Sequence, residues 1–263
     1  MKIWAIARIT FKECLRYRVV YFILAMALMY LYLGKGCNPG TIRGEGILFD
    51  KESLQHMATA VAFHGIVFWS MMLCGLMAAN VLSREIDEGT AVMTLCRPVG
   101  RTVFTAGKIL SVLMIACLNM FLLGGVFLIL LYSESGMFDG RIFISFIFGS
   151  LNLVLFALMC MFFSMFLPRL VVPLVGLCIY AISIWNSLPF YFQKLSIIWD
   201  PSQTVRLIHT TFPPFGDLQF IAANLCLSPF NAAELAMPFV RFLIYCAAFW
   251  FLTVVLFKRK HIQ

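Results

Sequence analysis

Six long apolar runs, separated by short polar segments, dominate the pattern of this 263-residue chain. A helix needs about 20 apolar residues to cross a bilayer, or a few less. The runs therefore predict an all-α integral membrane protein with one transmembrane domain over residues 1–263. The six predicted spans cover residues 19–34, 57–82, 109–132, 142–167, 170–188 and 237–257.

The overall composition agrees with a membrane protein. Hydrophobic residues make up 62% of the chain and charged residues 12%, whereas a soluble domain carries about 25% charged residues. The formal net charge is +8, which suits cytoplasmic loops and anionic headgroups. Outside the apolar runs, no stretch interleaves basic and aromatic residues as a stacking surface. We therefore expect membrane lipids, and no nucleic acid, as partners.

The distribution of charge predicts the orientation. If the N-terminus is cytoplasmic and there are six spans, most Lys and Arg residues fall on the cytoplasmic side. Acidic residues outnumber basic ones in the loops on the other side. The positive-inside rule then places both the N- and the C-terminus in the cytoplasm.

Residues 2–17 predict an amphipathic helix before the first span. On a helical wheel the apolar side includes Trp4, Phe11 and Leu15, and Arg8 lies on the basic side. Such a helix lies in the membrane interface, with its apolar side toward the lipid. The alternative is that these residues only form the basic flank of the first span.

The stretch from Ser83 to Lys108 is the longest charged segment between two apolar runs. Its charges need water or a protein partner, because lipid cannot satisfy them. Ser83 is predicted to cap a helix that begins at Arg84, and Thr90 to cap a second short helix that Pro98 ends. The second helix could dock into a groove of a partner, or the segment could be a solvated loop whose charges only set the topology.

Motifs for chemistry are absent from the sequence. There is no G-x-x-x-x-G-K-[ST] phosphate loop and no paired-histidine metal motif. The nine cysteines form no CxxC pair. We therefore expect that the chain is not an enzyme, binds no metal or cofactor of its own, and does not hydrolyse ATP.

Polar residues inside the spans are candidates for a path through the membrane. His64 and Asn119 lie nearest the middles of the second and third spans. They could line such a path, or form hydrogen bonds between helices. Arg241 lies near the outer end of the sixth span, from which its guanidinium can snorkel to headgroups.

The loop of residues 189–235 is rich in proline and too apolar for a free linker. We expect it to pack on the outer ends of the spans, with a short helix near residues 217–227. Cys226 of this loop and Cys37 of the first outer loop could form a disulfide if the outside is oxidising. The sequence leaves open whether the two cysteines meet.

The charged segment also carries a resemblance. RITFKECLRYR precedes the first span, REIDEGTAVMTLCRPVGR follows the second, and Gly107 and Lys108 form a G-K pair. With six spans, this arrangement resembles the permease subunits of ABC-2-type transporters, and among them the NosY-like family. The loop of residues 189–235 has no match in that pattern, which leaves the class of substrate open.

The resemblance implies partners and a mode of action. A separate ABC ATPase subunit would bind ATP and Mg, and a second permease copy, identical or homologous, would complete a dimer in the inner membrane of a prokaryote. Residues 2–17 would be the elbow helix, and the short helix after the second span would be the coupling helix. By position, the contact with the ATPase falls on Glu85, Glu88, Gly89, Thr90, Met93, Leu95, Arg97, Pro98 and Arg101.

These observations predict the permease subunit of an ABC exporter. An alternative is a membrane anchor that transmits the work of the ATPase to an extracytoplasmic partner without moving cargo. A membrane enzyme or a stand-alone channel is a third, weaker alternative.

Overall fold

The computed structural model describes residues 2–36, 51–87, 100–135, 140–194, 207, 209–225 and 232–259. Within these ranges the regular structure is helical, with no β-strand. This suits a bilayer, where a helix satisfies its own backbone hydrogen bonds. The longer helices are α1 (Lys2–Leu15), α2 (Arg18–Gly36), α3 (Lys51–Asp87), α4 (Arg101–Ser135), α5 (Gly140–Phe163), α6 (Val171–Lys194), α7 (Phe215–Leu225) and α8 (Ala232–Arg259).

Among the residues that the structure describes, five helices are long and apolar enough to cross a membrane, and the chain is an all-α integral membrane protein. Their apolar parts are Thr59–Val81, Thr102–Ser133, Ile142–Phe163, Val171–Pro189 and Ala236–Phe257. The predicted first span, residues 19–34, falls on α2. The described apolar part of α2 is long enough to cross a membrane only together with α1, from which it is bent by 68°. Counting that bent pair as one span brings the number to six.

Several helices extend beyond the apolar runs that predicted them. Helix α3 continues without a break through Ser83 to Asp87, so the prediction that Ser83 caps a new helix is wrong. Adding residues to an existing helix avoids the cost of nucleating another one. Helix α6 likewise continues through Pro189. Helix α5 instead ends at Phe163, before the predicted residue 167, because turns precede Pro168.

Helix α3 lies at the centre of the bundle, where it contacts α2, α4, α5 and α6. Its Met71, Leu73 and Cys74 side chains are completely buried. Helix α8 is peripheral instead: 11% of its most apolar 18-residue stretch is buried inside the bundle, against 61% of the corresponding stretch of α5. Of these five helices, the last one is therefore the least buried by the rest of the bundle.

Helix α1 packs against the first turns of α4, at the end of the bundle where α3 ends and α4 begins. We call this the α1 end. The side that faces the bundle carries Ala7, Thr10 and Cys14. Trp4 and Arg8 are exposed, whereas Phe11 and Leu15 are half-buried. The predicted apolar side is thus divided between the bundle and the surroundings, and contact of Trp4 with lipid stays a prediction.

Residues 209–225, here called the inserted segment, enter the bundle, where α7 contacts α5, α6, α3 and α8. A helical turn at residues 209–211 leads to Pro213 and Pro214, and α7 follows. Phe215, Leu218 and Gln219 of α7 are completely buried against the bundle. Gln219 reaches Asn152, which lies about 18 Å along α5 from Gly140 at 1.5 Å per residue. The prediction that this loop packs on the outer ends of the spans is therefore wrong for the inserted segment, although the short helix near residue 217 is present.

Candidate functional site

A buried lysine joins α1 to α4 at the α1 end. Lys108 is 4% exposed, and its Nζ donates a hydrogen bond to Thr10 Oγ1 at 2.8 Å. The ammonium group also lies 5.5 Å from the centre of the Phe104 ring, within the range of a cation–π interaction. Because the donor is charged and removed from water, this contact is stronger than an ordinary surface hydrogen bond.

The glycine before Lys108 lets α1 approach this closely. A Cβ atom at Gly107 would lie 2.8 Å from Ile6 Cγ2 and 3.2 Å from the backbone oxygen of Ile3. Helix α1 therefore packs directly on the α4 backbone at this point. In the sequence the Gly107–Lys108 pair ends the charged segment from Ser83 to Lys108, but the structure makes it the contact surface for α1. Residues 88–100, which connect α3 to α4, are called the charged hairpin below.

The last helix reaches the same place. Phe257 is completely buried near the end of α8, and its ring stacks on the Phe104 ring with 5.9 Å between the centres. Three elements that are distant in the sequence, α1, α4 and α8, thus meet within two turns of the start of α4.

Two of the predicted coupling residues lie in helices that end or begin near this joint. Glu85 lies in the last turn of α3, and Arg101 is the first residue of α4. Their helical backbones lie at the α1 end. The remaining predicted contact residues lie outside the described ranges: Glu88, Gly89, Thr90, Met93, Leu95, Arg97 and Pro98.

The two predicted pathway residues have separate partners. Asn119 is 4% exposed, and its Nδ2 donates to Ser70 Oγ at 3.1 Å, which joins α4 to α3. His64 is half-buried, and its Nδ1 lies 2.7 Å from the carbonyl oxygen of Ala60 in the same helix. Asn119 thus forms a hydrogen bond between two helices, and a path lined by His64 and Asn119 stays a prediction.

A second polar pair lies deep in the bundle. Asn152 Nδ2 donates to Gln219 Oε1 at 3.1 Å, and both side chains are completely buried. This bond ties the inserted segment to α5. Sequence reasoning missed Gln219, because a polar residue in a loop is expected to be solvated; its position within an apolar 11-residue helix is the available signal.

Asp217 connects three elements near the start of α7. Its Oδ1 accepts hydrogen bonds from Ser187 Oγ at 2.9 Å and from His209 Nε2 at 2.8 Å. Its Oδ2 accepts one from Arg241 at 3.0 Å. The carboxylate thus joins α6, the turn at residue 209 and α8.

The charge on Asp217 is set by two opposing effects. Burial disfavours the carboxylate form, but the hydrogen bonds from His209 and Ser187 and the charges of His209 and Arg241 favour it. The hydrogen bonds and charges together outweigh the effect of burial, so the pKa of Asp217 lies below its ordinary value. Asp217 is therefore ionised at neutral pH and forms a true ion pair with Arg241.

Arg241 also holds the backbone of the inserted segment. Its guanidinium donates to the carbonyl oxygens of His209 and Phe212, and Tyr245 Oη donates to that of Thr211. These carbonyls lie at a helical turn that ends before Pro213, and a cation suits the carbonyl end of a helical turn. Arg241 is therefore turned inward to Asp217, which corrects the expectation that it snorkels to headgroups.

The described side chains provide no group of three His, Cys, Asp or Glu residues that could hold a metal ion. Cys37 and Cys226, the predicted disulfide partners, lie outside the described ranges.

Comparison with known proteins gives a family match. The sequence model of a family described as ABC-2 family transporter protein matches residues 11–184, well over half of the chain. The match extends from α1 into α6, and the Asp217–Arg241 pair lies beyond it. No curated protein matches the chain.

Proposed function

The chain belongs to the ABC-2 transporter family and is a permease component of an ABC transporter, and we propose that it is the transmembrane subunit of an exporter. In this proposal it moves a substrate across the membrane by means of ATP hydrolysis in a separate ATPase subunit. ATP and Mg bind to that subunit, and the present chain carries no catalytic residue. Its task is to convert movements of the ATPase into movements of its own helices.

The observation that carries this proposal is the joint at Lys108. Helix α4 begins at Arg101, directly after the charged hairpin, and is fixed to α1 two turns later through Lys108 and Gly107. A force on the hairpin therefore acts on α1 and α4 together. Since α4 crosses the bundle and bonds to α3 through Asn119, the same force reaches mid-membrane depth.

We place the contact with the ATPase on the hairpin itself. Met93 and Leu95 would fill an apolar groove of the ATPase, while Arg97 and Arg101 would pair with its acidic residues. An apolar stretch followed by two arginines, between two long helices, supports this placement. Glu85, Glu88, Gly89, Thr90 and Pro98 would shape the short helix that presents them.

We further propose that two permease chains, identical or homologous, form the functional unit in the inner membrane of a prokaryote. Both termini would face the cytoplasm. Helices α2 and α8 support a further membrane neighbour, since they expose large apolar side chains such as Phe22, Tyr32 and Phe251. These side chains can contact either lipid or a second permease chain.

The test is co-purification of the tagged chain with its candidate ATPase. Wild type is compared with Leu95→Asp/Arg97→Glu and with a control, Lys12→Glu, which reverses an exposed charge at the same end of the bundle. We expect the ATPase with wild type and with the control, but its loss from the double variant. Retention by the double variant would mean that the hairpin is not the docking site. If no ATPase binds to wild type, the exporter proposal fails as well.

The second candidate function is a membrane anchor that transmits work to an extracytoplasmic partner without moving cargo. One observation favours it: the inserted segment buries Phe215 and Gln219 inside the bundle, in contact with α5 and α6. ATP hydrolysis by the reconstituted complex distinguishes the two. Stimulation by an amphipathic cargo supports the exporter, whereas stimulation by an outer partner alone supports the anchor.

A further inference from the structure

The inserted segment packs tightly on α5 and α6. The Phe215 ring lies 6.2 Å from that of Phe156 on α5 and 5.8 Å from that of Tyr180 on α6, centre to centre. A Cβ atom at Gly216 would lie 2.4 Å from Ser187 Oγ and 2.7 Å from the backbone oxygen of Ser183. Such an interface has no room for sliding, because each displaced atom meets another.

Hydrogen bonds reinforce this side. Ser183 Oγ donates to the carbonyl oxygen of Pro213 at 2.7 Å and accepts from the backbone N–H of Gly216 at 3.1 Å. Asn152 adds its buried bond to Gln219. The inserted segment, α5 and α6 therefore form one closely packed body.

The side that faces α8 is different in kind. Here the described side chains of α8 that bond to the inserted segment are Arg241 and Tyr245, and their contacts are polar. Met237, Val240, Leu243 and Ile244 around them are each at least half exposed, whereas Phe242 is buried at 5% exposure. This half of α8 is thus held by the polar bonds of Arg241 and Tyr245 together with the buried Phe242.

The other half of α8 is anchored by aromatic packing. Phe249 lies 5.7 Å from Phe162 of α5, and Phe257 stacks on Phe104 of α4. Thr253, between them, is completely buried. Helix α8 is therefore fixed at the α1 end by aromatic packing, while the bonds of its first half to the inserted segment come from Arg241 and Tyr245.

We propose that Arg241 is a positioning residue that closes a polar clasp between α8 and the inserted segment, and that the bundle opens at this clasp. On opening, the first half of α8 separates from residues 209–225, while the inserted segment stays on α5 and α6. The reason is that the contacts on the two sides of the inserted segment are distributed differently. A cluster built around one guanidinium is lost as a unit, whereas apolar packing spread over two helices is lost only if the helices separate. This inference concerns the chain alone and does not depend on the proposed exporter function.

The experiment measures two distances by pulsed electron spin resonance on the full chain in lipid nanodiscs. Spin labels are attached to cysteines at three exposed positions in an otherwise cysteine-free chain, which must first be shown to be monodisperse. Leu207 lies just before the inserted segment, and its carbonyl oxygen accepts hydrogen bonds from Thr210 and Thr211 of that segment. Leu207→Cys with Met237→Cys therefore reports across the clasp, and Leu207→Cys with Trp185→Cys reports on the separation from α6. Each pair is measured in the native background, in Arg241→Gln, and in the control Arg16→Gln, which removes an exposed arginine at the α1 end.

We expect Arg241→Gln to widen the 207–237 distance distribution about twofold, because local opening has become easier, and to leave the 207–185 distribution unchanged. Arg16→Gln should change neither distribution. Equal widening of both distributions would show that the inserted segment leaves α6, and no widening would show that Arg241 does not hold the clasp; either result overturns the proposal. If Arg241→Gln does not give monodisperse protein, Tyr245→Phe is judged by the same two distributions. That variant keeps the ion pair and removes one bond of the clasp.

Discussion

Lys108 of α4 donates a hydrogen bond to Thr10 of α1 at 2.8 Å, although 98 residues separate the two in the chain. Both side chains are buried, at 4% and 3% exposure. The pair fixes α1 at the base of α4, where the charged hairpin ends. It therefore connects the predicted elbow helix to the predicted coupling region by a direct contact.

Removal of the Lys108 ammonium group should destabilise the joint. A buried hydrogen bond with a charged donor contributes about 1.5–3 kcal/mol, so we expect Lys108→Met to lower the free energy of unfolding by about that amount. Lys12→Met is the matched control, because Lys12 is exposed on α1. Thermal unfolding in detergent checks this prediction. Equal unfolding temperatures for the two variants would contradict it.

Adding one methyl group at Gly107 should push α1 away from α4. Gly107→Ala would place Cβ at 2.8 Å from Ile6 Cγ2, whereas Cβ at Gly125 of the same helix meets nothing within 4 Å. We expect Gly107→Ala to lower the unfolding temperature, because overpacking typically costs about 1–3 kcal/mol. Gly125→Ala should be neutral or stabilising by up to about 1 kcal/mol, because alanine favours the helix. Ile6→Ala should relieve part of the loss in Gly107→Ala, and the lack of any relief would argue against this contact.

Asn152 and Gln219 should behave as a coupled pair. Replacing one by leucine leaves the other buried without its partner, which costs about 1–3 kcal/mol. Replacing both removes the need for a bond, so we expect Asn152→Leu/Gln219→Leu to be more stable than the sum of the single changes implies. A double-mutant cycle of unfolding free energies measures this coupling. Strict additivity would show that the inserted segment does not depend on the bond.

The stability that Asp217 contributes should depend on pH. The folded pKa of Asp217 lies below its ordinary value of 3.8, so the contribution is complete well above pH 3.8 and is lost as the pH falls through the lowered folded pKa. In Asp217→Asn this contribution is absent at every pH. The difference in unfolding temperature between wild type and Asp217→Asn should therefore shrink as the pH falls below that ordinary value. A constant difference across this range would contradict the ion pair with Arg241.

The spans could be predicted from the sequence because their signal is local. A run of about 20 apolar residues has few alternatives to crossing the membrane, and the structure has a helix over each of the six predicted runs. The fit is poorer at the ends of the runs. At Ser83 the sequence suggests a cap, yet α3 continues to Asp87, because a cap residue acts only where the helix stops for other reasons.

The roles of the polar residues depend on the tertiary structure. In the sequence, Lys108 lies at the end of a charged segment. In the structure it is buried, because α1 approaches α4 closely at Gly107. Arg241 lies near the outer end of its span, from which an arginine side chain can snorkel to headgroups. It turns inward instead, because Asp217 accepts a hydrogen bond from it. In both cases a buried charge requires a partner, and that partner lies far away in the chain or on another helix.

The sequence by itself determined that this chain is a helical membrane protein with a charged hairpin and a resemblance to ABC-2 permeases. The tertiary structure decided that residues 209–225 enter the bundle. An 11-residue helix after two prolines is too short to cross a bilayer, so hydropathy places it outside. Its depth is set instead by Asn152, Ser187 and Arg241, which bond to Gln219 and Asp217 once three separate helices have assembled around it.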